Sequence, residues 1–359
     1  MFSDWYFGAE LSTWALFVEM VVSGAVVVLA GTRLTVQAER LANHYQLGHA
    51  WVGVLLLATV TSLPEVVTGT TAVWIGQADM AFATIFGSCC FNIVLIVLFN
   101  AFVGGGSILF GKGRAHTLSS TFGIVLMSIA LLGIMLVGKF ESRPALAQAC
   151  EIAIVGVIAL TYMLCMRMVY RTELEVNGPP AAPAKRLPRL PGIVPKVAGL
   201  SLILVVSAWW MARTGDVLAD HPIEWLGRPL GATMVGAVFL AIATSLPEIA
   251  TGLAAVRMGN LDMALGNIFG SNMFNIFVIP MLKVSSWFSG HTLLMGGEGF
   301  DAGQNTIVGL LPILLTAVVV GGLSYRSSRT VLRRFGVDSA LIATIYIVGM
   351  VLLLSGGAP

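Results

Sequence analysis

Apolar residues run along this chain in blocks too long for an ordinary amphipathic helix. A hydrocarbon core about 30 Å thick needs about 20 residues of helix to cross it. Runs of that size lie near 13–31, 50–74, 79–102, 118–138 and 147–169, and again near 196–214, 232–256, 262–288, 303–323 and 337–356. The longest break between them, 171–195, is polar and rich in proline, which marks a linker rather than a domain. The pattern predicts an all-α polytopic membrane protein with ten transmembrane helices. Five fall in 1–170 and five in 196–359.

The second group repeats the first. Shifted by 183 residues, Gly48–Ile93 falls on Gly231–Ile276 without a gap, and more than half of the 46 paired positions are identical. The same offset carries the first span onto the sixth and the fourth and fifth over the ninth and tenth, so the repeated unit is five helices. A unit with an odd number of crossings sends its second copy into the membrane from the opposite side. Two inverted repeats are therefore expected, related by a pseudo-two-fold axis in the membrane plane.

Composition agrees: of 359 residues, 57% are hydrophobic and 11% charged, too few polar groups to cover a soluble globule. On alternate sides of the ten spans, Lys and Arg divide 15 of 20 to one side. The positive-inside rule makes that side cytoplasmic, with the linker inside and both termini outside. The expected setting is the inner (plasma) membrane of a prokaryote. The formal charge is only +2 and no basic stripe interleaves with aromatics, so nucleic acid is not an expected partner. Cys89, Cys90, Cys150 and Cys165 sit in apolar runs without metal-site spacing and read as packing residues. The five histidines are scattered.

Against this apolar background, "TSLPE" occurs at 61–65 and again at 244–248. Pro64 and Pro247 lack an amide hydrogen and crowd the carbonyls of Val60 and Ala243, so each helix should break there. Freed carbonyls at that depth are tolerated when buried in protein or lining a cavity. Glu65 and Glu248 fall near mid-span, where a carboxylate costs roughly 2.5–3.5 kcal/mol. The axis would bring the two face to face, and a bound cation would compensate both. One such proline could be a packing kink and one such glutamate a protonated, hydrogen-bonded group; their symmetric recurrence favours a cation site.

The next span of each unit carries an oxygen-bearing stripe at i, i+4, i+8: Thr84, Ser88 and Asn92 in one, Asn267, Ser271 and Asn275 in the other. Taken alone, each stripe could be interhelical hydrogen-bonded glue. With the glutamates and Thr61 and Thr244 it makes an oxygen cage. Asp79 and Asp262 stand where carboxylates cap helix N-termini. Glu19 could line a path to the site or pack, and Glu151 is placed to snorkel at an outer end.

The paired blocks "ATVTSLPEVVTG" with "GQADMAFATIFGSCCFNI", and "AIATSLPEIATG" with "GNLDMALGNIFGSNMFNI", resemble the α-1 and α-2 repeats of the calcium/cation antiporter superfamily, of which sodium/calcium exchangers are members. The resemblance spans the ten-helix layout. It implies that Glu65 and Glu248 bind calcium, that Thr61, Ser62, Thr244 and Ser245 add calcium or sodium ligands, and that Ser88, Asn92, Ser271 and Asn275 contribute from the following helices. The chain departs from the family pattern in three ways. Val60 and Ala243 replace the glycine before Thr-Ser, Thr84 and Cys89 stand where the second repeat has Asn267 and Asn272, and both Asn92 and Asn275 are amides where many relatives carry one acid. The linker is too short for calcium-sensing regulatory domains.

The expectation is a secondary antiporter, not an enzyme, exporting Ca2+ in exchange for Na+ or H+ by alternating access at a midplane site. A Ca2+/H+ or other divalent cation/H+ exchanger is the alternative, ahead of a passive cation channel or an intramembrane enzyme. The expected partners are inorganic cations and the bilayer; no cofactor is expected, and the oligomeric state stays open.

Overall fold

The backbone follows the membrane rule that polar amide groups be satisfied within helices. The computed structural model describes residues 13–45, 47–74, 76, 78–104, 106–110, 112–140, 142–178, 192–220, 222–223, 228–229, 244–290, 293, 302–325, 330–331 and 335–356. Helix α1 (Thr13–Tyr45) precedes a broken segment made of α2 (His49–Val52), a π-helical stretch (Gly53–Leu57), α3 (Ala58–Thr61) and α4 (Leu63–Trp74). Helices α5 (Ala78–Val103), α6 (Arg114–Lys139) and α7 (Pro144–Asn177) complete the first half. The second half contains α8 (Ile193–Asp220), α9 (Leu246–Arg257), α10 (Leu261–Ser289), α11 (Ala302–Tyr325) and α12 (Val337–Gly356). Two antiparallel two-residue ladders lie in its connections, Pro222–Ile223 with Arg228–Pro229 and Thr330–Val331 with Phe335–Gly336.

Among the described residues, 8 helices are long and apolar enough to cross a membrane, and α12 carries a shorter apolar stretch, Val337–Leu352. The first part of the expected span 232–256, up to residue 243, lies outside the described residues; Thr244, Ser245 and α9 form the rest. Helices α1 and α7 run well past their apolar runs. The extension of α7 has a packing reason: buried Glu173 lies so close to Gly48 that a Cβ there would overlap its carboxylate.

Both Pro-Glu segments break their helices as the missing amide dictates. Ser62 sits at φ −89°, ψ 5° between α3 and α4, and Ser245 at φ −90°, ψ 2° before α9. The π-helical stretch just before the first break has no counterpart in the sequence expectation. It lies where this segment meets α10 backbone to backbone. A Cβ on Gly53 would strike the Met263 carbonyl, one on Gly266 the Ala50 carbonyl, and one on Gly270 would stand 2.5 Å from the Val54 carbonyl oxygen. Small residues permit such approach between membrane helices.

Helix α10 is the hub. It packs against α2, the π-helical stretch, α3 to α7 and α9, which is why it can carry Asn267, Ser271, Asn272 and Asn275 in a membrane: all four are buried in protein. Helices α1 and α8 pair with each other, and α1 also packs on α9.

Two sequence expectations are corrected. Glu151 does not snorkel: it is fully buried on α7 and forms an ion pair with Lys283 of α10 at 2.8 Å. Asp262 does not cap α10. Asn260 does, accepting from the Met263 amide, while Asp262 in the first turn pairs with Lys112 at 3.1 Å and His116 at 2.9 Å, at the start of α6. Asp79 lies in the first turn of α5, with its side chain outside the described residues.

Candidate functional site

Each helix break presents a glutamate at the beginning of the helix that follows. Glu65 is in the first turn of α4 and Glu248 in the first turn of α9. That position points amide hydrogens and the positive end of the helix dipole at the carboxylates. Pro64 and Pro247 secure the turn from the other side: Thr68 donates to the Pro64 carbonyl at 3.0 Å and Thr251 to the Pro247 carbonyl at 2.8 Å.

The structure brings most of the sequence-selected side chains together. Ser88 of α5 donates to Glu65 Oε1 at 3.2 Å, and Ser271 of α10 donates to Glu248 Oε1 at 3.4 Å. The two Pro-Glu segments also touch directly, since Ser62 donates to Glu248 Oε1 at 3.4 Å. Thr61 Oγ1 lies 3.3 Å from Ser271 Oγ and donates to Asn267 Oδ1 at 3.4 Å. Asn267 in turn donates to Thr251 Oγ1 at 2.9 Å. Thr244, Ser245, Asn92 and Asn275 are buried. Thr84 is the stripe member that turns back on its own helix, donating to the Met80 carbonyl at 2.8 Å.

These hydrogen bonds are mostly long, and they leave acceptors over. Glu65 is 0% and Glu248 1% exposed, yet among the described residues Oε2 of each has no hydrogen-bond partner. Asn92 Oδ1, both amide atoms of Asn275 and Ser245 Oγ are likewise buried without one. An unpaired buried carboxylate oxygen is among the costliest arrangements a protein interior holds. Such unpaired carboxylate and amide oxygens are the chemistry that positive charge would satisfy. The chemistry of the donors is hard: two carboxylates with hydroxyl and amide oxygens, and among the described residues no group of three His, Cys, Asp or Glu that could hold a metal ion. This set suits calcium or sodium rather than zinc or copper. A separate cavity of about 450 Å³, lined by His49, Lys112, His116, Glu173 and Asp262 among others, touches none of these residues.

Three neighbours of the site are not among the residues selected from the sequence. Thr68 and Thr251 recur at the repeat offset, four residues after each proline, so their signal was present. Asn272 stood out in the sequence only as a difference between the repeats, and its pairing was not legible because its partners Cys89 and Asn92 lie on α5, 183 and 180 residues away. Cys89, read as packing, also makes a polar contact, its thiol lying 3.8 Å from the Asn272 carbonyl oxygen.

Comparison with known proteins bears on the family and the fold. A family model described as "Sodium/calcium exchanger protein" matches residues 15–170 and 197–355. The chain is 28% identical over 266 residues to the inner membrane protein YrbG of Escherichia coli (strain K12), covering 72% of this chain and 76% of that one. It is 22% identical over 320 residues to a Ca(2+)/H(+) antiporter of Aphanothece halophytica, covering 83% and 81%. A solved structure of the sodium-calcium exchanger NCX_Mj shares its fold, with a TM-score of 0.65 over 94% of this chain and 98% of that one at 19% identity.

Proposed function

This chain belongs to the sodium/calcium exchanger protein family, and from that premise we propose that it exports calcium in exchange for sodium, with protons as the alternative counter-ion. The family consists of integral membrane transporters, not enzymes. The observation that carries the calcium reading is the pair of buried glutamates, one from each half, with Ser62 of the Glu65 segment donating to Glu248 and with Oε2 of each glutamate unpaired among the described residues. Their two negative charges match one divalent cation, and Thr61, Ser62, Thr244, Ser245, Ser88, Ser271, Asn92 and Asn275 supply neutral oxygens toward the 6–8 that calcium accepts. Protons have a specific supporter in the antiporter of Aphanothece halophytica, whose name pairs calcium with H+.

The site is set between two inverted five-helix repeats of a ten-span protein. Cys89 and Asn272, one repeat length apart in sequence, touch each other across α5 and α10, as residues beside a two-fold axis must. Alternating access then follows from one group of helices rocking past the core of α2 to α5, α9 and α10. Both termini face outward across a prokaryotic inner membrane.

Calcium uptake into inverted membrane vesicles, driven by an imposed sodium or proton gradient, tests the reading. Uptake with one gradient and not the other identifies the counter-ion. No uptake with either removes calcium antiport as the function.

A further inference from the structure

A chain of hydrogen bonds crosses between α5 and α10, and its direction is fixed at one end. The Cys89 backbone carbonyl can only accept, so Asn272 must turn its Nδ2 toward it, at 3.2 Å. Asn272 Oδ1 therefore faces Asn92, and Asn92 donates its Nδ2 to that oxygen at 3.0 Å. With its NH2 committed, Asn92 holds Oδ1 away from this chain, and that atom is buried without a hydrogen-bond partner.

We propose that Asn272 is a positioning residue that locks the Asn92 amide so that the cation site is always offered an oxygen and never an NH2 group. The proposal rests on the calcium-antiport reading above, since the Asn92 oxygen matters only if a cation meets it. An amide able to turn would present its NH2 for part of the time, and that face repels a cation.

The second half of the site lacks such a lock. The residue one repeat length before Asn272 is Cys89, and a thiol, weak as both donor and acceptor, cannot impose a direction on an amide. Asn275, the counterpart of Asn92, lies beside that thiol, and neither of its amide atoms has a partner that meets ordinary hydrogen-bond geometry. The site is thus asymmetric where the sequence motif is nearly symmetric. Asn92 is a fixed ligand and Asn275 one whose amide no comparable partner orients.

The test is a double-substitution cycle on the full-length protein in proteoliposomes, reading the half-saturating Ca2+ concentration and the maximal exchange rate. Asn272→Leu keeps the branched shape and heavy-atom count and removes the polar atoms. It is expected to raise half-saturation about tenfold, the loss typical when a group that orients a metal ligand is removed, with little change in maximal rate. In an Asn92→Ala background the same substitution should change nothing further, because its only route to the cation is gone. Effects of the two substitutions that simply multiply would overturn the proposal, as would an unchanged half-saturation in Asn272→Leu. Asn272→Ala is read in the same cycle if the leucine variant does not give monodisperse protein. A wild-type protein that exchanges no calcium refutes the antiport reading instead, so the two failures are distinguishable.

Discussion

Glu65 holds Oε1 on Ser88, Glu248 holds Oε1 on Ser271 and Ser62, and Oε2 of each is unpaired among the described residues. A group kept for packing would have acquired a donor for that second oxygen, since an unsatisfied buried acceptor costs about 1–3 kcal/mol and more when charged. Changing either to glutamine keeps the shape and removes half of the compensating charge. We expect Glu65→Gln and Glu248→Gln each to lower calcium exchange by about 100-fold or more, the scale of leaving a buried charge without its partner. Folding should be preserved, because a buried charge has been removed. The check is uptake combined with thermal unfolding: calcium should raise the melting temperature of the wild type by mass action and leave that of both variants unmoved. Normal exchange by both would remove these glutamates from the site. The glutamates were legible in the sequence because they recur beside proline in two copies of one motif. Ser62 was selected only through the family resemblance, and the structure shows what one copy could not, that it serves the glutamate of the other half, 186 residues away.

Among the elements, the two helix breaks were legible because proline acts locally, through its missing amide and its clash with the preceding turn. The π-helical stretch was not, since it coincides with the close seat of Gly53, Gly266 and Gly270 between two segments far apart in sequence. Glu151 was misread for a related reason: the position of a carboxylate near a span end says nothing of an ammonium on another helix. Its pairing with Lys283 has a neutral analogue in the other half, where Asn100, one repeat length before Lys283, donates to Ser339 of α12 at 2.8 Å. Each polar helix, α5 and α10, is thus tied near its C-terminal end to a helix of the opposite half. For the ionic tie, Lys283→Met should destabilise the protein by about 3–5 kcal/mol, because Glu151 is left buried without the ammonium that neutralises it. Adding Glu151→Leu should recover most of that loss. Unfolding of the two variants in detergent checks this, and a double variant no more stable than the single one would show that the pair acts through packing rather than charge.

For the molecule as a whole, the decisive quantity is the charge that the site carries across the membrane. Four carboxylates are buried among the described residues, Glu65, Glu151, Glu173 and Glu248. Glu151 is neutralised by Lys283, and Glu173 lies against Gly48 at the far end of α2. Asn92 and Asn275 are neutral amides. The proposed site therefore draws at most two negative charges from the described buried carboxylates. One calcium ion brings it to neutrality, and so do two sodium ions or two protons, whereas a third sodium ion would stand as an uncompensated charge in a medium of low dielectric constant. If both loaded forms are neutral, the conformational change that exposes the site to either side moves no net charge through the membrane field, and voltage has nothing to act on. Two monovalent cations per calcium and an exchange equilibrium independent of membrane potential are the expected outcome. Proteoliposomes clamped at several potassium–valinomycin potentials provide the check: the calcium gradient at equilibrium should be the same at each. A shift equal to one elementary charge per cycle would show that a third monovalent cation binds, and would direct the search for its partner to Glu19, whose Oε2 is also buried without a hydrogen-bond partner on α1.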